Sequence, residues 1–216
     1  MQPLEPLTSG STPELKKHLR LLLASSNPGK LQEFRALARD AGSHLELESL
    51  PGIDRLAPHE EDADTFGENA LGKALHYSRH STEPVFCDDS GLVVPALDGK
   101  PGVHSARYAG PSATNSQRIE KLLEELRGKS AEQRSAHFVC VIALAQQGKA
   151  LAIVSDSVDG VILEAPRGSG GFGYDPVFYY PPLHKTFAEL SPEEKNRHSH
   201  RGKAFLRLLA ALPDVL

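Results

Sequence analysis

The order of apolar and polar residues along the chain predicts short strands that alternate with helices. An apolar run at residues 19–26 predicts a buried strand, and the weaker alternation of residues 45–50 predicts a second. Residues 84–94 predict two strands separated by a polar break. Residues 135–163 predict a long hairpin that turns at Gln147-Gly148 and runs on into a third strand.

Other stretches repeat apolar residues at helical intervals and carry helix start and stop signals. Thr65, with Glu68 in the capping-box position, predicts a helix start, while Gly42, Gly128 and Pro213 each follow an apolar stripe as a stop. The predicted helical stretches are residues 31–38, 66–79, 115–127 and 199–212, with one more helix start at residues 191–194. Helices interleaved with strands and one long antiparallel hairpin predict an α/β fold, a mixed β-sheet with flanking helices.

Composition narrows the class of protein. The chain has 216 residues and a net charge of −4, and its 39% hydrophobic content exceeds what disordered chains carry. The negative net charge argues against a protein that coats nucleic acid, and no apolar run approaches the roughly 20 residues that span a bilayer. We therefore expect a soluble, cytoplasmic protein with no membrane or nucleic-acid partner. Residues 1–18 are expected to form a flexible extension, followed by a single domain over residues 19–216.

The two cysteines bear on the redox compartment. Cys87 and Cys140 lie in apolar, strand-like runs and do not have the spacing of metal ligands. With no secretory signal in the sequence, we expect both to be reduced.

The first candidate for chemistry follows the first predicted strand, at Ser25-Ser26-Asn27-Pro28-Gly29-Lys30. A turn between a strand and a helix N-terminus aims free backbone N–H groups at an anion, and Lys30 adds a positive charge. The segment is not a Walker A loop, because the first glycine is missing and Leu31 replaces the hydroxyl that binds magnesium. An ordinary strand–helix turn with an exposed lysine is the alternative.

Carboxylates supply the next two candidates. Asp88 and Asp89 stand side by side between apolar runs, and in a strand they would face opposite sides, so that one can be structural while the other enters a cleft. A cleft carboxylate can hold Mg²⁺ or accept a proton from water. An acidic run, residues 60–64, could share such a metal if it folds back toward Asp89. The alternatives are a common Asp-Asp-Ser-Gly turn and a solvated acidic face.

Two further candidates suit an aromatic ligand. Four glycines surround Phe172 and Tyr174 in residues 168–175, so an aromatic face could lie against a flat ligand. Lys195, His200 and Arg201 place donors near the start of the last helix, where an electron-rich ligand edge could be read. A flexible loop and a charged helix surface are the alternatives. Together, the candidates provide what a purine nucleoside triphosphate site needs.

The chain resembles the inosine triphosphate pyrophosphatase family, which removes non-standard purine nucleotides such as ITP, dITP and XTP. The similarity covers nearly all of residues 19–212. It rests on the stretches SSNPGKLQEF, TFGENALGKA, DDSGLVVPALDGKPGVHSARYAG, GGFGYDPVF and TFAELSPEEKNRHSHRGKA. The resemblance implies an elongated, two-lobed fold around a central nucleotide-binding cleft, a homodimer, and one or more Mg²⁺ ions as cofactor.

The resemblance also implies roles for individual residues. Asp89 is the expected general base and metal ligand, with Glu60 the second metal ligand and Glu61 left open as the alternative. Ser90 is expected to contact the substrate, and Lys73 to add a second phosphate cation beside Lys30. The remaining expected substrate-binding residues are Ser25, Ser26, Asn27, Pro28, Gly29, Phe172, Gly173, Tyr174, Asp175, Lys195, His200 and Arg201.

The implied reaction is attack by water at the α-phosphorus, which yields a nucleoside monophosphate and pyrophosphate. Cleavage at the α rather than the γ position rests on the resemblance alone. Two rival functions stay open, a hydrolase for pyrimidine or modified nucleotides and a nucleotide sensor that does not hydrolyse its ligand. The first gives no reason for the His200-Arg201 pair, and the second gives none for Asp89 beside Ser90.

Overall fold

The fold is built on one mixed, seven-stranded sheet, as the sequence predicts. The computed structural model describes residues 19–25 and 27–216, so the predicted extension, residues 1–18, and Ser26 lie outside the described residues. The strand order is β2-β1-β3-β4-β5-β6-β7; β1 runs parallel to β2 and β3, and the other pairs are antiparallel. The strands are β1 Arg20–Leu23, β2 Glu46–Ser49, β3 Val85–Val93, β4 Ser135–Gln146, β5 Lys149–Ile162, β6 Phe178–Tyr180 and β7 Lys185–Thr186.

Within the described residues, five α-helices flank the sheet, and each begins at a polar capping side chain. Thr65 accepts a hydrogen bond from the Glu68 N–H, and Ser191 with Glu194 forms a reciprocal capping box that precedes Pro192. Local sequence signals therefore locate the helix starts well. The helices are α1 Pro28–Asp40, α2 Phe66–Tyr77, α3 Asn115–Glu125, α4 Pro192–His198 and α5 His200–Val215.

The polar break predicted within residues 84–94 is wrong, because β3 is one continuous strand. It pairs with β4 without interruption from Val85↔Ala145 to Val93↔His137. Asp88 and Asp89 therefore lie inside the strand, where positive side chains from other elements offset their charge. A sequence pattern cannot show such distant compensation.

Two predicted element ends also need correction. The hairpin turn at Gln147-Gly148 is confirmed, with φ values of 49° and 75° that suit a two-residue turn. The prediction of a separate third strand before residue 163 is wrong, because β5 continues without a break to Ile162. Gly160 lies within β5, and a side chain at this position would meet the Phe178 ring at 2.5 Å. Pro213 does not stop α5 but lies in its last turn, where a proline removes only one hydrogen bond from the helix end.

Apolar side chains gather in three clusters that make two lobes. In the first lobe, α1 and α5 cover one face of β1, β3 and β4, while α2 covers the opposite face. The second lobe packs α3 and β6 against the far ends of β4 and β5 around residues such as Leu122, Phe138 and Phe178. Cys87 and Cys140 are both free and buried. No helix within the described ranges is long and apolar enough to cross a membrane.

The short first strand leaves one edge of β3 open between the lobes. β1 pairs with β3 only at Leu22↔Val85 and Leu23↔Phe86. Beyond Phe86, side chains form hydrogen bonds with the β3 backbone where β1 no longer reaches it. Lys73 donates to the Asp88 carbonyl at 2.8 Å, and the Leu92 N–H donates to Ser105 Oγ at 2.9 Å. Groups from both faces of the sheet can therefore reach the same space at this edge.

Candidate active site

A cleft of about 850 Å³ lies at the open edge of β3 and is lined by both lobes. It brings together most of the residues that the sequence singled out, although they are far apart along the chain. Gly29 does not line it, and the side chains of Ser26 and Pro28 are outside what the structure describes. The predicted residues that line the cleft are Ser25, Asn27, Lys30, Lys73, Asp89, Ser90, Phe172, Gly173, Tyr174, Asp175, Lys195, His200 and Arg201.

Asp88 and Asp89 point to opposite faces of β3, as strand geometry predicts. Asp88 faces α1 and α5, where it meets Lys30 and Arg201; Asp89 faces α2, where it meets Lys73. Both carboxylates nevertheless line the cleft, because the cleft wraps around the open edge of the strand. Asp88 is thus part of the site, a role that the alternation of side chains alone does not reveal.

Asp88 is the anion that compensates the cations on its face of the sheet. Its carboxylate lies 2.8 Å from Lys30 Nζ, accepts from Ser90 Oγ at 3.1 Å, and lies 3.5 Å from Arg201 Nε. Burial alone would raise the pKa of Asp88, but the positive charges of Lys30, Arg201 and Lys73 outweigh it and hold the pKa well below its usual range. Asp88 therefore stays ionised at every physiological pH.

Asp89 has the opposite electrostatics. Burial raises its pKa to about 6; Lys73, 3.9 Å away, opposes that shift, and Glu61 adds to it. The Asp89 Oδ1 atom accepts from the Ser90 N–H at 3.1 Å, whereas Oδ2 is buried and has no hydrogen-bond partner within the described part of the chain. A carboxylate with a pKa near neutrality and a free oxygen in a cleft is suited to accept a proton.

Of the two open metal-ligand candidates, Glu61 and not Glu60 lines the cleft. Its Oε2 atom lies 3.1 Å from Lys73 Nζ, so Glu61 and Asp89 flank the same ammonium group. Glu60 and Glu61 are both exposed, and it is the contact with Lys73 that brings the Glu61 carboxylate into the cleft. Which of the two would hold a metal stays a prediction, and the place of Glu61 in the cleft favours it over Glu60.

The donors at Asp89 and Glu61 fit a Mg²⁺ ion. Mg²⁺ is commonly held by one or two carboxylates and completes its shell with water and substrate phosphates, and the unpartnered Asp89 Oδ2 offers such a ligand. A larger cluster is absent: residues 19–25 and 27–216 contain no group of three or more His, Cys, Asp and Glu side chains arranged for a metal.

The turn between β1 and α1 differs from the expected anion cradle. Asn27 Oδ1 caps the Gly29 N–H at 2.9 Å, and the Lys30 N–H donates to the Asn27 carbonyl at 3.2 Å. Two amides that were expected to be free are thus bonded inside the turn. The positive charges at this end of the cleft are therefore the ammonium groups of Lys30 and the buried Lys73.

Another part of the cleft is built around Phe172, a residue that is 46% exposed although hydrogen bonds hold the loop that carries it. The buried Asp175 carboxylate accepts from the Phe172 N–H at 2.8 Å and from Lys195 Nζ at 2.5 Å. Lys195 Nζ in turn lies 4.5 Å from the centre of the Phe172 ring. This loop therefore offers an ordered aromatic surface edged by positive charge.

His200 and Arg201, at the start of α5, form the floor beneath this aromatic surface. The His200 ring stacks on Phe138 at 4.7 Å, and burial, followed by the charges of Arg201 and Lys195, lowers the pKa of His200 well below its usual value. Arg201 is buried, and its guanidinium lies 3.0 Å from Glu33 and 5.4 Å from the centre of the Phe172 ring. The site thus offers a neutral imidazole beside a fixed cation.

Sequence reasoning missed two polar residues of the second lobe that line the cleft, Asn115 and Arg118 in the first turn of α3. Asn115 Oδ1 accepts from the Arg118 guanidinium at 2.9 Å, and the Ala113 carbonyl accepts from it at 2.6 Å. The only local signal was their place off the apolar stripe of an amphipathic helix, which solvent-exposed residues share.

Comparison with known proteins agrees with the architecture. A family model described as the Ham1 family matches residues 21–211. The chain is 52% identical over 188 residues to a dITP/XTP pyrophosphatase of Geobacillus kaustophilus, an alignment that covers 87% of this chain and 91% of the relative. It is 46% identical over 196 residues to a dITP/XTP pyrophosphatase of Desulfotalea psychrophila, covering 91% of this chain and 86% of the relative.

A solved structure shows the same fold. The structure of a HAM1 protein from Coxiella burnetii superimposes with a TM-score of 0.81 at 42% sequence identity. The match covers 91% of this chain and 99% of the Coxiella chain, so both lobes and the cleft between them belong to the shared fold.

Proposed function

This chain belongs to the Ham1 family, and from that membership we propose that it is a nucleoside-triphosphate pyrophosphatase. It hydrolyses non-standard purine nucleoside triphosphates, namely ITP, dITP and XTP, and so removes them from the nucleotide pool. The observation that supports this function best is that one cleft combines the Asp89 carboxylate, whose pKa is about 6, with the ammonium groups of Lys30 and Lys73 and with an aromatic surface.

The reaction begins with a water molecule held by Asp89. The Asp89 carboxylate accepts a proton from this water while the water oxygen bonds to the α-phosphorus. The bond between the α-phosphorus and the oxygen that bridges it to the β-phosphorus breaks. Pyrophosphate leaves with that oxygen, and the nucleoside monophosphate remains. Since the pKa of Asp89 is about 6, it is mostly ionised at neutral pH yet basic enough to take the proton.

Positive charge at the same end of the cleft makes the attack possible. A triphosphate carries about four negative charges, which repel a nucleophile until cations neutralise them. Lys30 and Lys73 provide two fixed cations, and the Asp88 carbonyl orients Lys73 at 2.8 Å. Asp89 and Glu61 would hold Mg²⁺, which supplies further neutralisation of phosphate oxygens.

The aromatic end of the cleft selects the base. Phe172 offers its ring to the flat purine, and Lys195 and Arg201 present donors beside it. Hypoxanthine and xanthine carry an acceptor oxygen at position 6, whereas adenine carries an amino donor there. Because Arg201 can only donate, it satisfies the first two bases and leaves two donors facing each other when adenine is bound.

The test is to incubate the protein with ITP, XTP, ATP or dTTP in the presence of Mg²⁺ and to measure pyrophosphate and orthophosphate separately. We expect pyrophosphate from ITP and XTP and little product from ATP or dTTP. Orthophosphate as the main product would indicate cleavage at the γ position. Preference for dTTP would favour the pyrimidine hydrolase, and nucleotide binding without any product would favour the sensor.

We also propose that the enzyme is a cytoplasmic homodimer. A housekeeping function on free nucleotides supports the cytoplasm, and the buried free thiols agree with a reducing compartment. Two-fold pairing is the commonest assembly of soluble proteins. Light scattering that reports the monomer mass of 23.4 kDa at micromolar concentration would contradict the dimer.

A further inference from the structure

The cleft residue Glu61 sits on a segment with no helix or strand of its own, residues 57–65, called the acidic loop here. Side chains hold its backbone at four points, of which the first is the Ala57 carbonyl, 2.9 Å from His76 Nε2. The His59 N–H donates to Tyr77 Oη at 3.3 Å, and Asn69 bonds both the N–H and the carbonyl of Ala63, at 3.1 Å and 3.3 Å. Tyr77 and Asn69 belong to α2, the helix that follows the loop directly.

The fourth point comes from a different part of the chain. The guanidinium of Arg107 donates to the Glu61 carbonyl at 2.8 Å across 46 residues of sequence. Arg107 ends the 3-10 turn Gly102–Arg107 that follows β3, within the motif SARYAG, to which the proposed reaction assigns no role. This bond therefore links Glu61 to the segment that continues the catalytic strand.

The turn that carries Arg107 is itself firmly anchored. Ser105 Oγ accepts from the Leu92 N–H at 2.9 Å and donates to the Gly102 carbonyl at 2.6 Å, and the Ser105 carbonyl accepts from Tyr174 Oη at 3.0 Å. A side chain at Gly91 would meet the Gly102 carbonyl at 2.5 Å, so β3 and the turn approach closely. One short turn thus ties together the catalytic strand, the glycine-rich loop and the acidic loop.

The bond to the Glu61 carbonyl bears on where the Glu61 carboxylate lies. That carboxylate is 40% exposed, and its contact with Lys73 Nζ at 3.1 Å brings it into the cleft beside Asp89. An exposed side chain on a loop gains little from such an ion pair alone, because ordering it costs conformational entropy. The hydrogen bond from Arg107 restrains the backbone of Glu61, and so lowers the entropy cost of holding the Glu61 side chain in the cleft.

We propose that Arg107 is a positioning residue, which acts by holding the backbone of Glu61 so that its carboxylate stays in the cleft opposite Asp89. The proposal rests on the proposed function for its effect on turnover, but not for its effect on the loop. Arg107 itself is exposed and does not line the cleft, so it acts through Glu61 and not on the substrate.

Amide hydrogen exchange tests the contact without any substrate. In Arg107→Met, amides of the acidic loop should exchange faster by about tenfold or more, as expected for loss of a charged hydrogen bond. Amides in the buried turns of α2 should be unchanged. The matched control is Arg127→Met, which removes an exposed arginine in the turn after α3 that pairs with Glu124, three residues before it. This variant should leave the acidic loop unaffected.

Turnover separates positioning from substrate binding. In Arg107→Met, kcat for ITP should fall about 10- to 100-fold, as when a partner of a ligating side chain is lost, with KM changed much less. Arg107→Lys keeps a donor and should recover part of kcat. In a Glu61→Gln background, Arg107→Met should cause no further fall, because its target has already been removed.

Either of two results overturns the proposal. One is unchanged exchange of the acidic loop in Arg107→Met, or in Arg107→Ala should the Met variant not fold. The other is an equal fall in kcat with and without Glu61, which would make Arg107 act independently. If the wild-type protein released no pyrophosphate, the proposed function would fail, while the exchange experiment would still decide whether Arg107 holds the loop.

Discussion

The ammonium of Lys73 lies 3.9 Å from the Asp89 carboxylate and donates a 2.8 Å hydrogen bond to the carbonyl of Asp88. One side chain of α2 thereby bonds the backbone at the open edge of β3 and places a positive charge next to Asp89, the proposed general base. Burial would lower the pKa of Lys73, but the charges of Asp89, Asp88 and Glu61 raise it. The lysine therefore remains a cation, which limits how far burial can raise the pKa of Asp89.

Replacing Asp89 by Asn should remove activity and leave the fold intact. An amide cannot take the proton from water, and loss of a general base costs roughly 10²- to 10⁴-fold in kcat. The exposed Asp62→Asn, on the acidic loop, is the matched control and should keep wild-type turnover. Pyrophosphate release measured for both variants checks the assignment, and near-normal turnover of Asp89→Asn would falsify it.

Asp89→Asn should be at least as stable as the wild type above pH 6. The folded-state pKa of Asp89, about 6, is raised above the ordinary value of 3.8, so its contribution to stability is present at low pH and is lost as pH rises through 6. Asn removes this cost of ionisation. A lower Tm of Asp89→Asn at pH 8 would contradict the raised pKa.

Asp88→Asn should mainly destabilise the protein. The change leaves the buried Arg201 and Lys30 without their shared anion, and breaking a buried pair costs about 3–5 kcal/mol. Glu33 still pairs with Arg201, so the lower end of that range is expected. Asp156→Asn breaks a pair with the exposed Arg207 and should cost at most about 1 kcal/mol. Urea unfolding at pH 7.5 compares the two, and equal losses would refute the compensating role of Asp88.

His200 should make the protein less stable on mild acidification. Its folded-state pKa is lowered from 6.5, so the stability it contributes is present above 6.5 and is lost as pH falls toward the folded-state pKa. Each pH unit in that window removes at most about 1.4 kcal/mol.

His200→Phe keeps a ring on Phe138 and should flatten this loss between pH 7.5 and 5.5. The exposed His44→Gln is the control, with an unchanged slope. Free energies of unfolding at both pH values provide the test, and identical slopes for wild type and His200→Phe would exclude the buried imidazole as the cause.

Arg201→Ala should reduce the preference for ITP over ATP. A site built around a hydrogen bond to the substrate can reject the wrong analogue by roughly 10⁴-fold, and removal of the donor abolishes that difference. Since Arg201 also pairs with Glu33 and Asp88, the variant will lose stability. The ratio of the two kcat/KM values is independent of the folded fraction and is therefore the measurement to make. Equal losses on ITP and ATP would assign Arg201 to the fold or to phosphate instead.

Phe172→Ala should weaken nucleotide binding with little effect on stability. Phe172 is 46% exposed, so removal of its ring opens no cavity in the core. Aromatic stacking is worth about 0.5–1.5 kcal/mol, which corresponds to a rise in KM of up to about tenfold. Leu206→Ala, a similarly exposed residue of α5, is the control and should leave KM unchanged. A KM for ITP within error of wild type in Phe172→Ala would exclude stacking on this ring.

The sequence by itself determined the features that depend on nearby residues. Capping side chains such as Thr65 and Ser191 start helices because they bond amides three residues away, and Gln147-Gly148 turns the hairpin because its backbone can adopt positive φ. The alternation of side chains along a strand also predicts correctly that Asp88 and Asp89 point to opposite faces of the sheet.

Only the tertiary structure decided what those side chains meet. Lys30 and Asp88 are 58 residues apart and Arg201 and Glu33 are 168 apart, yet each pair is in contact, and such pairs leave no periodic signal in the chain. The same holds for Glu61, which contacts Lys73 and Arg107 and lines the cleft, whereas Glu60 does not line it. Because β1 ends at Leu23, the edge of β3 beyond Phe86 has no neighbouring strand, and Asp88 lines the cleft there. These outcomes depend on long-range packing and on charge compensation between distant elements, which local spacing does not encode.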